Sequence, residues 1–165
     1  MALAIYVIDT SSLIELKPYP GDVFPSLWSN LGLLVKARRL ISTEMVLKEL
    51  DRYARKDEIT RWAQANRRIF KAIDADQLKK VKKILSEYQS WVDPDGERNA
   101  ADPFVVALAM TRETRPTLDI VGGVRLVVSE ERFKENKVNI PSVCRRYGIE
   151  CIPLFEMFRR EGWQF

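Results

Sequence analysis

Ala4-Ile5-Tyr6-Val7-Ile8-Asp9-Thr10-Ser11-Ser12 is the stretch that decides how this chain is read. Five apolar, strand-favouring residues in a row predict a strand buried on both faces, as in a parallel sheet. The run stops at an acid, and Thr-Ser-Ser after it suits a turn and a helix start. Asp9 is therefore expected at the C-terminal end of a central strand, the edge where open α/β sheets bind ligands. Asp9 can equally serve as a cap for the helix that follows. Which role matters depends on whether other acids reach the same edge.

Working outward, residues 11–16 read as a short helix, ended by Lys17-Pro18-Tyr19-Pro20-Gly21. A second helix is predicted over 25–37, with Pro25 in its first turn and Leu27, Trp28, Leu31, Leu34 and Val35 on its apolar face. Residues 39–42 read as a second strand. The helix predicted over 43–55 carries Met45, Val46, Leu50 and Tyr53 as a stripe, and Glu49 falls inside it. A carboxylate on a core-facing stripe is costly unless it is paired, hydrogen-bonded or bound to a metal. Pairing with Lys48 or Arg52, or reaching out to solvent from the edge of the stripe, would be the ordinary resolution.

Residues 59–73 and 75–91 read as two further helices. Trp62, Ile69, Phe70 and Ile73 mark the apolar face of one, and Leu78, Val81, Leu85 and Tyr88 that of the other. Asp93-Pro94-Asp95-Gly96 reads as a turn or flexible loop. Ala101-Asp102-Pro103 then opens a helix that is apolar all round, which must be buried, with Asp102 as its expected N-cap and Pro103 in its first position. A capping carboxylate keeps an oxygen for other use. Residues 114–118 read as a loop, and 120–123 as a strand and turn or the lead into the next strand. The run 124–128 repeats the opening design: an apolar strand that ends in Ser129-Glu130-Glu131-Arg132-Phe133. That acidic end is either a surface turn or a further site element. A helix over 141–147, a strand over 149–152 and a helix over 153–161 complete the chain, with Trp163 and Phe165 packing its tail. Alternating strands and helices predict a parallel sheet covered on both faces. The helix-rich middle, residues 43–92, reads as an elaboration within one domain spanning 1–165.

Composition narrows the chemistry. The 165 residues are 46% hydrophobic, enough for a sizeable core, and no apolar run has the length of a membrane span. With no signal-peptide pattern, a cytoplasmic protein is expected. There is no histidine, which removes histidine triads, histidine bases and histidine metal sites. Cys144 and Cys151 are too few for a structural zinc site and read as small core residues, a disulfide being the lesser alternative. The net charge of +4 and pI near 9.1 suit a polyanion, although Arg67-Arg68, Lys71 and the Lys79–Lys83 cluster read as solvated helix faces. The reactive groups left are carboxylates. Asp9, Glu49, Asp102 and the Glu130/Glu131 pair can all reach one sheet edge. Clustered carboxylates raise one another's pKa, and a hard cation such as Mg²⁺ or Mn²⁺ removes that conflict. The chemistry that follows is metal-assisted phosphodiester hydrolysis.

These residues resemble the PIN-domain nuclease superfamily. The likeness is carried by Ile8-Asp9-Thr10-Ser11, by Val46-Leu47-Lys48-Glu49-Leu50, by the run from Asp102-Pro103-Phe104 to Leu108-Ala109, and by Leu126-Val127-Val128-Ser129-Glu130-Glu131. The tail, Ile140-Pro141-Ser142-Val143-Cys144 through Gly162-Trp163-Gln164-Phe165, is also similar to a little-characterised PIN-like subfamily. The resemblance implies a three-layer α/β/α sandwich with a mainly parallel sheet and a Mg²⁺- or Mn²⁺-dependent endoribonuclease that leaves 3′-hydroxyl and 5′-phosphate ends. Asp9, Glu49 and Asp102 match the family's metal-site acids, with Ser11 as a supporting hydroxyl. At the fourth position most relatives carry Asp after Thr. This chain has Ser129-Glu130-Glu131, with Glu130 taken first and Glu131 second. Lys48, Arg52 and Arg132 are expected to guide the RNA backbone. The resemblance further implies RNA as substrate, an antitoxin protein and a second copy of the chain as partners, and no membrane. A catalytically weak or inactive PIN-like scaffold that binds RNA or protein is the alternative.

Overall fold

The computed structural model describes residues 3–53, 57–93, 95–96, 99–111 and 123–165. Expectations for 114–118 and 120–122, for Pro94, and for the side chain of Tyr53 lie outside the described residues.

β1 spans Ala4–Ile8, α1 Thr10–Ile14, α2 Pro25–Lys36, β2 Leu40–Thr43 and α3 Glu44–Tyr53. α4 (Glu58–Ala65) is followed by a 3-10 turn (Arg67–Ile69), β3 (Phe70–Lys71) and α5 (Ala75–Glu87). α6 (Asp102–Met110), β4 (Val124–Val128), α7 (Ile140–Arg146), β5 (Cys151–Ile152) and α8 (Leu154–Arg160) complete the described elements. The five strands form one sheet in the order β3-β2-β1-β4-β5, with every pairing parallel. Helices cover both faces, which makes the three-layer α/β/α sandwich expected from the sequence. Ile5, Tyr6, Val7 and Ile8 are all buried, as a continuous apolar run in a central parallel strand requires. The all-round apolar α6 packs across β1, β2 and β4 and is buried from Val105 to Ala109.

The strand order decides where a site can form. From β1 the chain builds outward through β2 and β3, then returns to the other side of β1 to add β4 and β5. The order reverses between β1 and β4, and the crevice beyond the carboxyl ends of two such strands is the usual ligand position in open α/β sheets. The register, Ile8 beside Val128, sets Asp9 directly against Ser129. Gly123 leads into β4 because a Cβ there would meet Ile5 and the Leu3 carbonyl at 2.7–2.8 Å.

Three expectations are corrected. The helix predicted over 59–73 ends at Ala65, and residues 70–71 turn into an edge strand. Asn66 terminates it, donating its side-chain amide to the Trp62 carbonyl at 2.9 Å. The middle region therefore adds to the sheet as well as carrying helices. α5 turns Gln77, Val81 and Ile84 inward and leaves Leu78 exposed, one helical step away from the predicted face. Asp102 is the first helical residue of α6 and Ala101 holds the cap position, so the Asp102 carboxylate makes no cap bond.

The N-terminal ends of β1 and β2 are tied to the chain's end. Arg39 donates through Nη1 and Nη2 to both carboxylate oxygens of Glu161, at 2.9 and 2.6 Å, and through Nε to the Ala4 carbonyl. The Tyr6 hydroxyl donates to Glu161 at 2.6 Å. Trp163 stacks on Phe158, with ring centroids 5.1 Å apart, and Phe165 meets both edge-on. The expected packing of the tail is present. Cys144 and Cys151 are free thiols, Cys144 buried.

Candidate active site

Asp9 occupies the end of β1 and is 3% exposed. Both roles foreseen for it coexist. Its Oδ1 caps α1 by accepting the Ser12 backbone N–H at 2.8 Å. Ser11 donates its hydroxyl to the same carboxylate at 2.8–2.9 Å, and Ser129, arriving from β4, donates to Oδ2 at 2.7 Å. Burial pushes Asp9 up to about 6 even though Ser129, Ser12 and Ser11 favour its charged form.

Glu49 turns inward from α3. Neither Lys48 nor Arg52 pairs with it; Lys48 lies 3.9 Å from Glu44. Glu49 accepts instead from the Thr10 hydroxyl at 2.5 Å and from the Ala101 backbone N–H at 3.1 Å. One carboxylate thus joins the residue after Asp9 to the residue before Asp102, and three sequence-remote acids come to one place.

Asp102 is the uncompensated member. Its Oδ2 is buried and has no hydrogen-bond partner among the described residues. Burial, then the negative charges of Glu131, Asp9 and Glu49, push it up to about 8, while Lys137 pulls the other way.

The two glutamates after β4 part company. Glu130 turns toward α8, where Oε1 accepts the Leu154 N–H at 2.7 Å and the Ser12 hydroxyl at 3.3 Å. Its own N–H donates to Ser11 Oγ at 3.0 Å. Glu131 accepts the Ile140 N–H at the start of α7 at 2.9 Å, and its charge bears on Asp102 more than any other. Of the two, Glu131 is the one whose charge bears on Asp102. Lys48, Arg52 and Arg132 are exposed. The sequence reading overlooked Thr10 and Ser12, which hold Glu49 and Glu130, and Lys137. The hydroxyl run after Asp9 was a signal for the first two; nothing marked Lys137.

The donor set is all oxygen, with one buried carboxylate oxygen left open, and that suits a hard divalent cation. Among the described residues, no three acid or cysteine side chains already stand as a metal-binding group. Most of the other carboxylate oxygens are taken up by hydroxyl and backbone donors. No described helix is long and apolar enough to cross a membrane. No curated protein matches the chain. Residues 6–165 match the family described as Domain of unknown function (DUF4411), and the chain belongs to that family.

Proposed function

We propose that this protein is a PIN-like, Mg²⁺- or Mn²⁺-dependent endoribonuclease, of the kind that serves as the toxin of a toxin–antitoxin pair. The observation that carries the reading is the meeting of Asp9, Glu49 and Asp102 at the β1/β4 crevice, with Asp102 Oδ2 buried and unpartnered among the described residues. Such a set holds excess negative charge that a hard cation would neutralise.

Asp9 and Asp102 would hold the principal ion, with Glu49 completing the shell or orienting a water. Glu130 and Glu131 would serve a second or transient ion. The ion, when bound, supplies an activated water and neutralises charge building on the phosphate. The remaining tasks fall to the chain. Ser11 and Ser129 fix the Asp9 carboxylate, as outer-shell donors do in metal sites. Thr10 and the Ala101 N–H fix Glu49. Lys48, Arg52 and Arg132 draw in the RNA backbone. Cleavage would leave a 3′-hydroxyl and a 5′-phosphate. An antitoxin would act by covering or distorting the crevice, and a second copy of the chain is a further partner on this reading.

A non-cutting PIN-like scaffold is the second reading. Supporting it are the hydroxyl and backbone donors already seated on Asp9 and Glu49, and the glutamates that replace the usual fourth Asp. Incubating the full chain with labelled RNA plus Mn²⁺ or Mg²⁺ separates the two. Cleavage that disappears in Asp9→Asn and Glu49→Gln supports the nuclease. RNA binding without metal-dependent cutting rejects it.

A further inference from the structure

The segment between Glu131 and α7 carries a feature that the acid chemistry does not use. Phe133 is 48% exposed, although a large aromatic ring gains by burial. The Arg145 guanidinium lies over its ring, 5.1 Å from the centroid. Arg145 has no carboxylate partner among the described residues, so its N–H groups are not committed to an acid. Phe133 follows Glu131 by two residues, so their Cα atoms lie at most about 7 Å apart and the Phe133 backbone adjoins the Glu131 end of β4.

The segment is held in shape. The Asn139 side chain donates to the Arg132 carbonyl at 2.8 Å, closing the segment on itself. Asn139 also caps α7 reciprocally with Ser142, and Ile140 N–H is fastened to Glu131. Lys137 N–H bonds the Lys134 carbonyl inside the loop. Arg132, Lys134 and Lys137 are all exposed on it. An aromatic face set among cations is how proteins hold single-stranded nucleic acid: bases stack on the ring while the cations follow the backbone. A platform already fixed by its own hydrogen bonds loses little freedom when a base lands on it.

We infer that Phe133, with Arg145 behind it, is a stacking platform for an unpaired nucleobase of the RNA whose phosphodiester is held at the crevice. The inference rests on the ribonuclease reading for the identity of the neighbouring site, but its test does not need cleavage. A fluorescently labelled single-stranded RNA and its duplex are titrated into the full chain in EDTA, and cleavage is then followed separately with Mn²⁺. Phe133→Ala should weaken single-strand binding roughly 5- to 100-fold, the usual scale for one stacked base. Phe133→Trp should retain it. The duplex should bind more weakly than the single strand and be indifferent to both changes. Lys134→Ala, in contrast, should weaken both and flatten the salt dependence. If Phe133→Ala lowers the unfolding temperature yet binds single strands like the parent, the ring only pins the loop to α7 and the inference is overturned. If binding depends on Phe133 but Mn²⁺ produces no cleavage, the platform stands and the nuclease reading fails.

Discussion

At the N-terminal ends of β1 and β2, Glu161 meets a bidentate arginine and a tyrosine hydroxyl; at the C-terminal ends of β1 and β4, Asp102 lies under the charge of three other acids and has an oxygen with no partner among the described residues. Both carboxylates are largely buried. Burial pushes Glu161 up as it does Asp102, but the Arg39 and Tyr6 hydrogen bonds outweigh it and hold Glu161 below the usual carboxylate range. Nothing comparable rescues Asp102, which rises to about 8. A buried acid with its partners in place is a fastening. A buried acid facing other acids costs stability in its ionised form, and a protein keeps such an arrangement where the charge serves a ligand.

The sharpest way to break the contrast is to neutralise each acid in turn. Asp102→Asn should cut metal-dependent RNA cleavage by about 10³-fold or more, measured under single-turnover conditions. Glu161→Gln should leave the rate unchanged at temperatures where the protein stays folded. An equal loss in both would mean that the two ends do not differ in kind. Stability should respond with the opposite sign. Removing Arg39 or Glu161 strands a charged group in a mostly buried site, and urea unfolding should show a loss of about 3 kcal/mol. Asp102→Asn removes like-charge repulsion and should leave stability above neutral pH unchanged or raised.

The fold was legible where one signal dominated. The strand of residues 4–8 and the run 124–128 announce parallel strands because no turn residue interrupts them, although in the second only Leu126, Val127 and Val128 are buried and Val124 is exposed. The two-residue β3 was illegible: Phe70 and Lys71 sit at the end of a helical periodicity, and only pairing with Ser42 and Thr43 makes them a strand. The candidate site was legible as a set of acids: Glu49 stands inside an apolar stripe, where an acid is locally out of place, while Asp9 and Asp102 also suit helix starts and draw notice only as a set with it. Their partners were not. Thr10 and Ser12 are ordinary helix-start residues until Glu49 and Glu130 arrive from elsewhere in the chain, and sequence spacing carries no record of that arrival. Nothing in the sequence separates Glu130 from Glu131, because the backbone N–H that each one reaches, on α8 or on α7, is a fact of tertiary structure.

The two ends should also pull stability in opposite directions with pH. In the metal-free protein Asp9 and Asp102 hold their protons to about 6 and 8, whereas the unfolded chain releases them near pH 4. The folded state then binds more protons, so this contribution is full below about pH 4 and is lost as pH rises through those two values. The decline is at most about 1.4 kcal/mol per pH unit for each group. Glu161 behaves inversely: its depressed pKa contributes above the unfolded value and is lost as pH falls through the folded one. Urea midpoints taken across pH 4 to 9 should therefore fall on the alkaline side, and Asp102→Asn should flatten the part between about 6 and 8. An unchanged slope in that variant would mean that Asp102 is not the group titrating.

The finest distinction lies within the acidic end itself, between neighbours of identical chemistry. Glu130 spends Oε1 on the start of α8 and on Ser12, so Glu130→Gln removes charge from a group already serving as a brace. Glu131 also braces a helix start, but it is the acid whose charge weighs most on Asp102. Glu131→Gln should therefore weaken the Mn²⁺ dependence of cleavage about tenfold, the lower end for groups that tune a metal site, and Glu130→Gln should do less. Both variants keep an amide oxygen able to accept the same backbone N–H, so both should stay folded. The comparison then reads charge alone. If Glu130→Gln proved the more damaging in Mn²⁺ titrations, the arrangement seen here, Glu130 held to α8 and Glu131 to α7, would have to change when the cation binds.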